Sequence, residues 1–181
     1  RQMCIRDSIN SHNVTNMKKP LNENQVKTIR KLTADNPLHN LLINLSTDLM
    51  LRASDLLRLK VSDVMFENGK VRETVKVKHK KTKNYTIDIP LSENSKKSIS
   101  KFLSDKNADD FIFAGQKSHY TRKAISTVQY QRIIKGWMRM LGVDDVSSYS
   151  THSMRKTLAS HIYSKTNNVE AVRQLLGHQS V

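Results

Sequence analysis

The stretch THSMRKTLASH, residues 151–161, decides how the rest of this sequence is read. It follows the polar run SSYST. Met154 and Leu158, with Ile162 just beyond, recur at helical spacing. On a helix three residues turn by about 300°, so His152 and Arg155 project only about 60° apart. Both can then address one ligand. Arg offers a rigid, permanently charged fork matched to two phosphate oxygens. His donates a hydrogen bond or moves a proton near neutral pH. The start of a helix also favours an anion. Alone, a His-x-x-Arg spacing is common among surface residues, and an ordinary polar face is the competing reading.

Working outward, organised sequence begins at KKPLNENQVKTIRKL, residues 18–32. Asn22 followed by Gln25 has the form of a capping box, and Val26, Ile29 and Leu32 make a short apolar stripe. Pro37 opens a second helix, with Leu38, Leu41, Leu42, Leu45 and Leu49 on one face. Ser54 is placed to cap a third, short helix bearing Leu56, Leu57 and Leu59. The period then changes. Val71, Thr74, Val75 and Val77, and later Ile87 and Ile89, mark a small antiparallel sheet with a basic turn between its strands. Pro90 ends it, and Ser92 can cap a helix carrying Ile99, Phe102 and Leu103. An apolar island, FIFAG (111–115), precedes a longer helix over about residues 122–141, stopped by Gly142. A last helix is expected from about Val169 to Leu176. Helices, a small sheet and helices again give a mostly α domain with one inserted sheet, an α+β class. Residues 1–16 join no pattern and are set aside as a tail, leaving 17–181 as the domain.

The totals bound the function. The 181 residues carry 31 Lys+Arg against 16 Asp+Glu, a net charge of +15 and a pI near 10.0. A charge this large draws anionic partners, nucleic acid first. The single cysteine, Cys4, rules out an intrachain disulfide and a Cys-rich zinc site. No apolar run reaches membrane-span length, and no secretory signal is present, which points to a cytoplasmic protein with no membrane role. There is no His-Glu-x-x-His, no Gly-rich phosphate loop and no nucleophile elbow. His152, His161 and His178 lack ligand spacing, so no metal site is expected.

Three further features stand beside the His152–Arg155 pair. Arg52 follows leucines where one helix gives way to the next, so it must snorkel, pair or serve. HKKTKN, residues 79–84, crowds Lys80, Lys81 and Lys83 beside Lys78 at the hairpin turn. Such a turn is either solvated or a finger for a DNA groove, where a lysine can bind phosphate or protonate a leaving oxygen. In LLGHQSV, residues 175–181, His178 follows a Gly after a helix.

Taken in order, LMLRASDLLRLKVSDV, KHKKTKNYTIDIPLS, THSMRKTLASH and LLGHQSV resemble the catalytic domain of the tyrosine recombinases, or phage integrases. The resemblance covers about residues 18–181 and takes in FIFAG and the helix ending MLGV. It implies Arg52 and Arg155 as the catalytic arginines, His152 as the partner of the second, and His178 at the later His/Trp position. The hairpin lysine falls on Lys81, with Lys83 as the alternative because the spacing to Pro90 is longer than in many relatives. Lys78, Lys80, Lys83 and Lys156 are implied DNA contacts.

The resemblance also implies a mechanism. A tyrosine attacks a DNA phosphodiester to give a 3′-phosphotyrosyl bond, and a 5′-hydroxyl reseals the strand, with neither ATP nor metal. The implied partners are double-stranded recombination sites, a homotetramer on DNA, and accessory DNA-bending proteins. The implied setting is bacterial or phage-encoded, within a mobile genetic element. Two departures qualify it. The family's tyrosine follows the His/Trp position at a longer separation than the three residues left after His178, and Tyr163 lies outside that motif. The chain as given is therefore expected to bind DNA without cutting it. Only a short tail precedes the pattern, where many relatives carry a helical DNA-clamping domain; minimal single-domain members that invert fimbrial promoter segments offer a loose parallel. A DNA-binding regulator of the same fold is the alternative to a recombinase.

Overall fold

A computed structural model describes residues 17–78, 86–115, 123–170 and 172 of the chain. The tail expected over residues 1–16 lies outside the described residues. Helix α1, Glu23–Leu32, begins at a reciprocal capping box. Asn22 Oδ1 accepts the Gln25 N–H at 2.8 Å, and Gln25 Oε1 accepts the Asn22 N–H at 2.9 Å. Val26 and Ile29 are buried, but Leu32 is 56% exposed and leaves the expected stripe.

Helix α2, Pro37–Leu49, is the centre of the fold. Asn36 caps it and Pro37 fills its first position, where a missing N–H costs nothing. Leu41, Leu42, Leu45 and Leu49 are buried as their spacing predicts. The opposite face is buried too: Asn40, Asn44, Ser46, Thr47 and Asp48 are all inside. Buried polar groups must be paired, and these are. Arg30 Nε of α1 donates to Asn44 Oδ1 at 2.8 Å. Helix α5, Glu93–Leu103, supplies the other side: Ser98 Oγ donates to Asn40 Oδ1 at 2.7 Å. Asp48 accepts the Ser92 N–H at 2.8 Å and the Ser95 hydroxyl at 2.5 Å, so one carboxylate anchors the start of α5.

Past α2, the short helices α3 (Ala53–Leu56) and α4 (Val61–Val64) fold back on the core. Ser54, expected to cap α3, lies inside it and is exposed; Arg52 holds the N-cap position instead, because the chain has already turned at Met50. Strands β1 (Thr74–Lys78) and β2 (Thr86–Pro90) pair antiparallel, with Val75 opposite Ile89 and Val77 opposite Ile87. Val75, Val77 and Ile89 face the core. Val71 is outside the strand and bridges Met65. The FIFAG segment is pinned by bridges Lys60–Phe111 and Ala114–Ala124, which bury Ile112 and Phe113.

Helix α6, Thr127–Met140, starts later than its periodicity suggests, at the Ser126 cap. Tyr130, Ile134, Trp137 and Met138 are buried, while Val128 is exposed. Trp137 Nε1 donates to His39 Nδ1 at 3.4 Å, and burial lowers the pKa of that imidazole, which keeps it a neutral acceptor near pH 7. Gly142, at φ +66°, follows the helix in the left-handed region that glycine enters freely. A 3-10 turn, Val146–Ser148, leads to α7, Thr151–Thr166. The last expected helix falls mostly outside the described residues, which show only its start at Val169 and Glu170.

The leading segment is strapped to α7. The Lys19 N–H donates to Ser148 O at 2.9 Å, and the Leu21 N–H to Thr157 Oγ1 at 3.2 Å. His161 Nε2 pairs with Leu21 O at 2.9 Å, and Lys165 pairs with Glu23 at 3.1 Å. Among the described residues the chain is mostly helical with one two-stranded antiparallel sheet, as expected.

Asp48→Ala would leave the Ser92 N–H and Ser95 hydroxyl without their acceptor and remove the carboxylate that offsets half-buried Arg30. The expected loss is about 3 kcal/mol of unfolding free energy, read from urea denaturation. A loss within about 0.5 kcal/mol, the range of ordinary surface substitutions, would contradict the anchoring role.

Candidate active site

The site is built where α2 ends. Met50 has φ +50°, in the left-handed region, so the helix stops abruptly on a residue other than glycine. Such a turn costs roughly 1–2 kcal/mol, and burial of the Met50 side chain at 2% exposure holds it in place. The turn returns Leu51 to the core and places Arg52 at the head of α3.

Helix α7 packs across α2 and brings Arg155 to the same region. Burial is the main influence that lowers the pKa of the Arg155 guanidinium, repulsion from Arg52 adds to it, and Asp55 opposes both. An arginine so shifted still carries its charge at neutral pH. Two permanent cations and one carboxylate, from distant parts of the sequence, are thus in electrostatic contact. Asp55 is a residue the motif reading missed. Its Oδ2 is buried without a hydrogen-bond partner. The signal was present: Asp55 stands one helical turn after Arg52. A buried carboxylate oxygen is costly unless its charge is used, and here it partly offsets the Arg155 guanidinium.

His152 is exposed on the first turn of α7, one turn before Arg155. Lys156 is exposed beside it. The loop before the helix is rigid in chemical terms. Asp145 receives the hydroxyls of Ser147 and Ser148, and these bonds, Ser147 first, hold its pKa down at about 2. The opening amides of α7 are already engaged. The Thr151 N–H donates to Gln131 Oε1 at 3.0 Å, the His152 N–H to Ser150 Oγ at 3.2 Å, and the Ser153 N–H to Ser150 O at 2.9 Å. At these three positions side chains, not those N–H groups, are what the start of the helix presents.

Lys78 ends β1, and its side chain is not among the described ones. Lys80, Lys81, Lys83 and His178 lie outside the described residues. Among the described residues, no group of three His, Cys, Asp or Glu side chains is arranged to hold a metal ion, and no helix is long and apolar enough to cross a membrane.

Comparison with known proteins bears on the family and the fold. Residues 19–181 match the profile of the phage integrase family. The chain is 31% identical over 130 residues to the probable integrase/recombinase YoeC of Bacillus subtilis, covering 72% of this chain and 65% of that protein. It is 24% identical over 172 residues to tyrosine recombinase XerC of Vibrio parahaemolyticus, covering 91% of this chain and 53% of that protein. The chain thus spans between half and two thirds of the length of these relatives. Among solved structures, XerA recombinase superposes with a TM-score of 0.71 at 19% identity, covering 91% of this chain and 57% of that one. XerH site-specific recombinase bound to palindromic difH substrate, in a post-cleavage complex, gives 0.70 at 19% identity, covering 95% and 50%. With the family profile matched over residues 19–181, this chain belongs to the phage integrase family.

Proposed function

We propose that this chain is the catalytic part of a site-specific DNA recombinase that cuts and rejoins double-stranded recombination sites through a 3′-phosphotyrosyl intermediate. The observation that carries the reading is the electrostatic coupling of Arg52 and Arg155 beside Asp55. Paired guanidiniums repel each other until an oxyanion sits between them, and the transferring phosphoryl group develops that charge.

In the first step a tyrosine oxygen bonds to phosphorus and the bond to the 5′-oxygen breaks. Arg52 and Arg155 hold the non-bridging oxygens. Lys81 supplies the proton that the departing 5′-oxygen needs, and His152 takes up the phenolic proton. His178 donates a hydrogen bond to the phosphate. In the second step a 5′-hydroxyl attacks the phosphotyrosyl bond and releases the phenol. The bond energy is kept throughout, so no nucleotide is consumed. Lys78, Lys80, Lys83 and Lys156 neutralise backbone phosphates, in keeping with the +15 charge. Support also comes from relatives named as integrases or recombinases and from a structural neighbour described as bound to its DNA substrate. Four copies acting on two sites would bring the exchanging strands together. No tyrosine within residues 1–181 stands at the family's nucleophile position. The polypeptide of residues 1–181 is therefore expected to shift a target duplex in a gel without forming a covalent adduct. An adduct from this polypeptide alone would place the nucleophile elsewhere.

In the full-length protein, Arg155→Ala is expected to lower single-turnover strand cleavage by about 10²- to 10³-fold while most duplex affinity remains. Cleavage at the wild-type rate would sink the assignment. Lys81→Ala is expected to slow cleavage far more than Lys83→Ala. A substrate with sulfur at the scissile 5′ position, whose thiolate leaves without a proton, should restore the Lys81→Ala rate. The reverse ranking moves the general acid to Lys83.

A further inference from the structure

One polar side chain outside the proposed catalytic set is tied to the backbone that delivers it. Gln131 lies half-buried on α6. Its Nε2 donates to Tyr149 O at 3.2 Å, and its Oε1 accepts the Thr151 N–H at 3.0 Å. Between those residues is Ser150, the N-cap of α7, 8% exposed. The Ser150 hydroxyl accepts the His152 N–H, and the Ser150 N–H donates to Ser153 Oγ at 3.0 Å. One amide thus holds both sides of the cap that starts the helix bearing His152 and Arg155.

We propose that Gln131 is a positioning residue for strand cleavage, setting the place from which His152 and Arg155 meet the phosphate; this rests on the catalytic reading above. The chemistry of the contact is selective. It needs a donor and an acceptor on one planar group at that reach, which a glutamine amide provides. Asparagine is one carbon shorter. An ionised glutamate keeps the acceptor for Thr151 but turns an oxygen toward the Tyr149 carbonyl. A protonated glutamate has the same shape as glutamine and again offers a donor. Thr151 directly precedes His152, so the clamp acts one residue from the proposed proton acceptor. Displacing a reacting group by about 1 Å can cost about 10²-fold in rate, so a clamp this close governs rate more than affinity.

The experiment compares Gln131→Met and Gln131→Glu with wild type in the full-length protein, with Arg155→Ala as control. Single-turnover cleavage at saturating duplex, duplex affinity, thermal unfolding and hydrogen exchange at the Thr151 amide are measured. Gln131→Met should cleave about 10- to 100-fold more slowly, with duplex affinity unchanged and faster exchange at Thr151. Gln131→Glu should be slow at neutral pH, and its rate relative to wild type should climb as pH falls toward the carboxyl range of about 4.3. Gln131→Met should show no such recovery. Wild-type cleavage by Gln131→Met overturns the proposal. So do Glu and Met variants whose relative rates follow the same pH course, which would mark the clamp as only a fold contact. If Arg155→Ala abolishes cleavage while Gln131→Met retains it, the positioning role alone fails. If Arg155→Ala still cleaves, the catalytic reading fails first.

Discussion

Everything in this domain is arranged around a helix that is buried on all sides yet polar on one of them. Helix α2 could not sit at the centre with Asn40, Asn44, Thr47 and Asp48 inside unless other elements met their hydrogen-bonding needs. That requirement fixes α1 through Arg30 and α5 through Ser92, Ser95 and Ser98. A hydrophobic contact tolerates sliding; a hydrogen-bonded carboxylate at 2.5 Å does not. With its neighbours locked, α2 ends at a fixed point, and the left-handed turn at Met50 passes that precision to Arg52.

The site that results is electrostatically tense. Burial raises the energy of the Arg155 guanidinium, because a charge loses hydration as it enters the protein, and repulsion from Arg52 adds to it. Asp55 offsets part of this. The first amides of α7 are spent on Gln131 and Ser150. The helix start is thereby a rigid mount for His152 and Arg155.

Much of this was legible in the sequence, and the limits have physical causes. The leucines of α2, the Asn22–Gln25 capping box, the Ser92 cap and the alternating valines of β1 each follow from local chemistry, and each holds. Periodicity misled where it assumed that every apolar side chain finds the core. Leu32 and Val128 are exposed. On α2 it marked the leucine face alone; only tertiary packing shows Asn40, Ser46 and Thr47 as interior too. Ser54 resembled a cap but lost that place to Arg52, since the Met50 turn starts α3 earlier. Of the candidate residues, His152 and Arg155 were picked out by a spacing and Arg52 by its odd company among leucines. Asp55, one helical turn after Arg52, was passed over, and Gln131 was not legible, because one glutamine on a long helix carries no local mark. Their meaning lies in what the fold brings to them.

The strap between the leading segment and α7 has a consequence for the order in which the domain forms. Leu21 bonds to Thr157 and His161, so that contact closes a loop of more than 130 residues. Closing so long a loop is entropically costly and slow compared with forming a helix or a hairpin. During synthesis, α1, α2 and Arg52 emerge before α7 and can pack while it is still being made. His152 and Arg155 join only after the intervening hundred or so residues have left the ribosome. The two arginines therefore meet after the local elements between them can form, and a nascent chain holds these charges apart until that body exists to contain them.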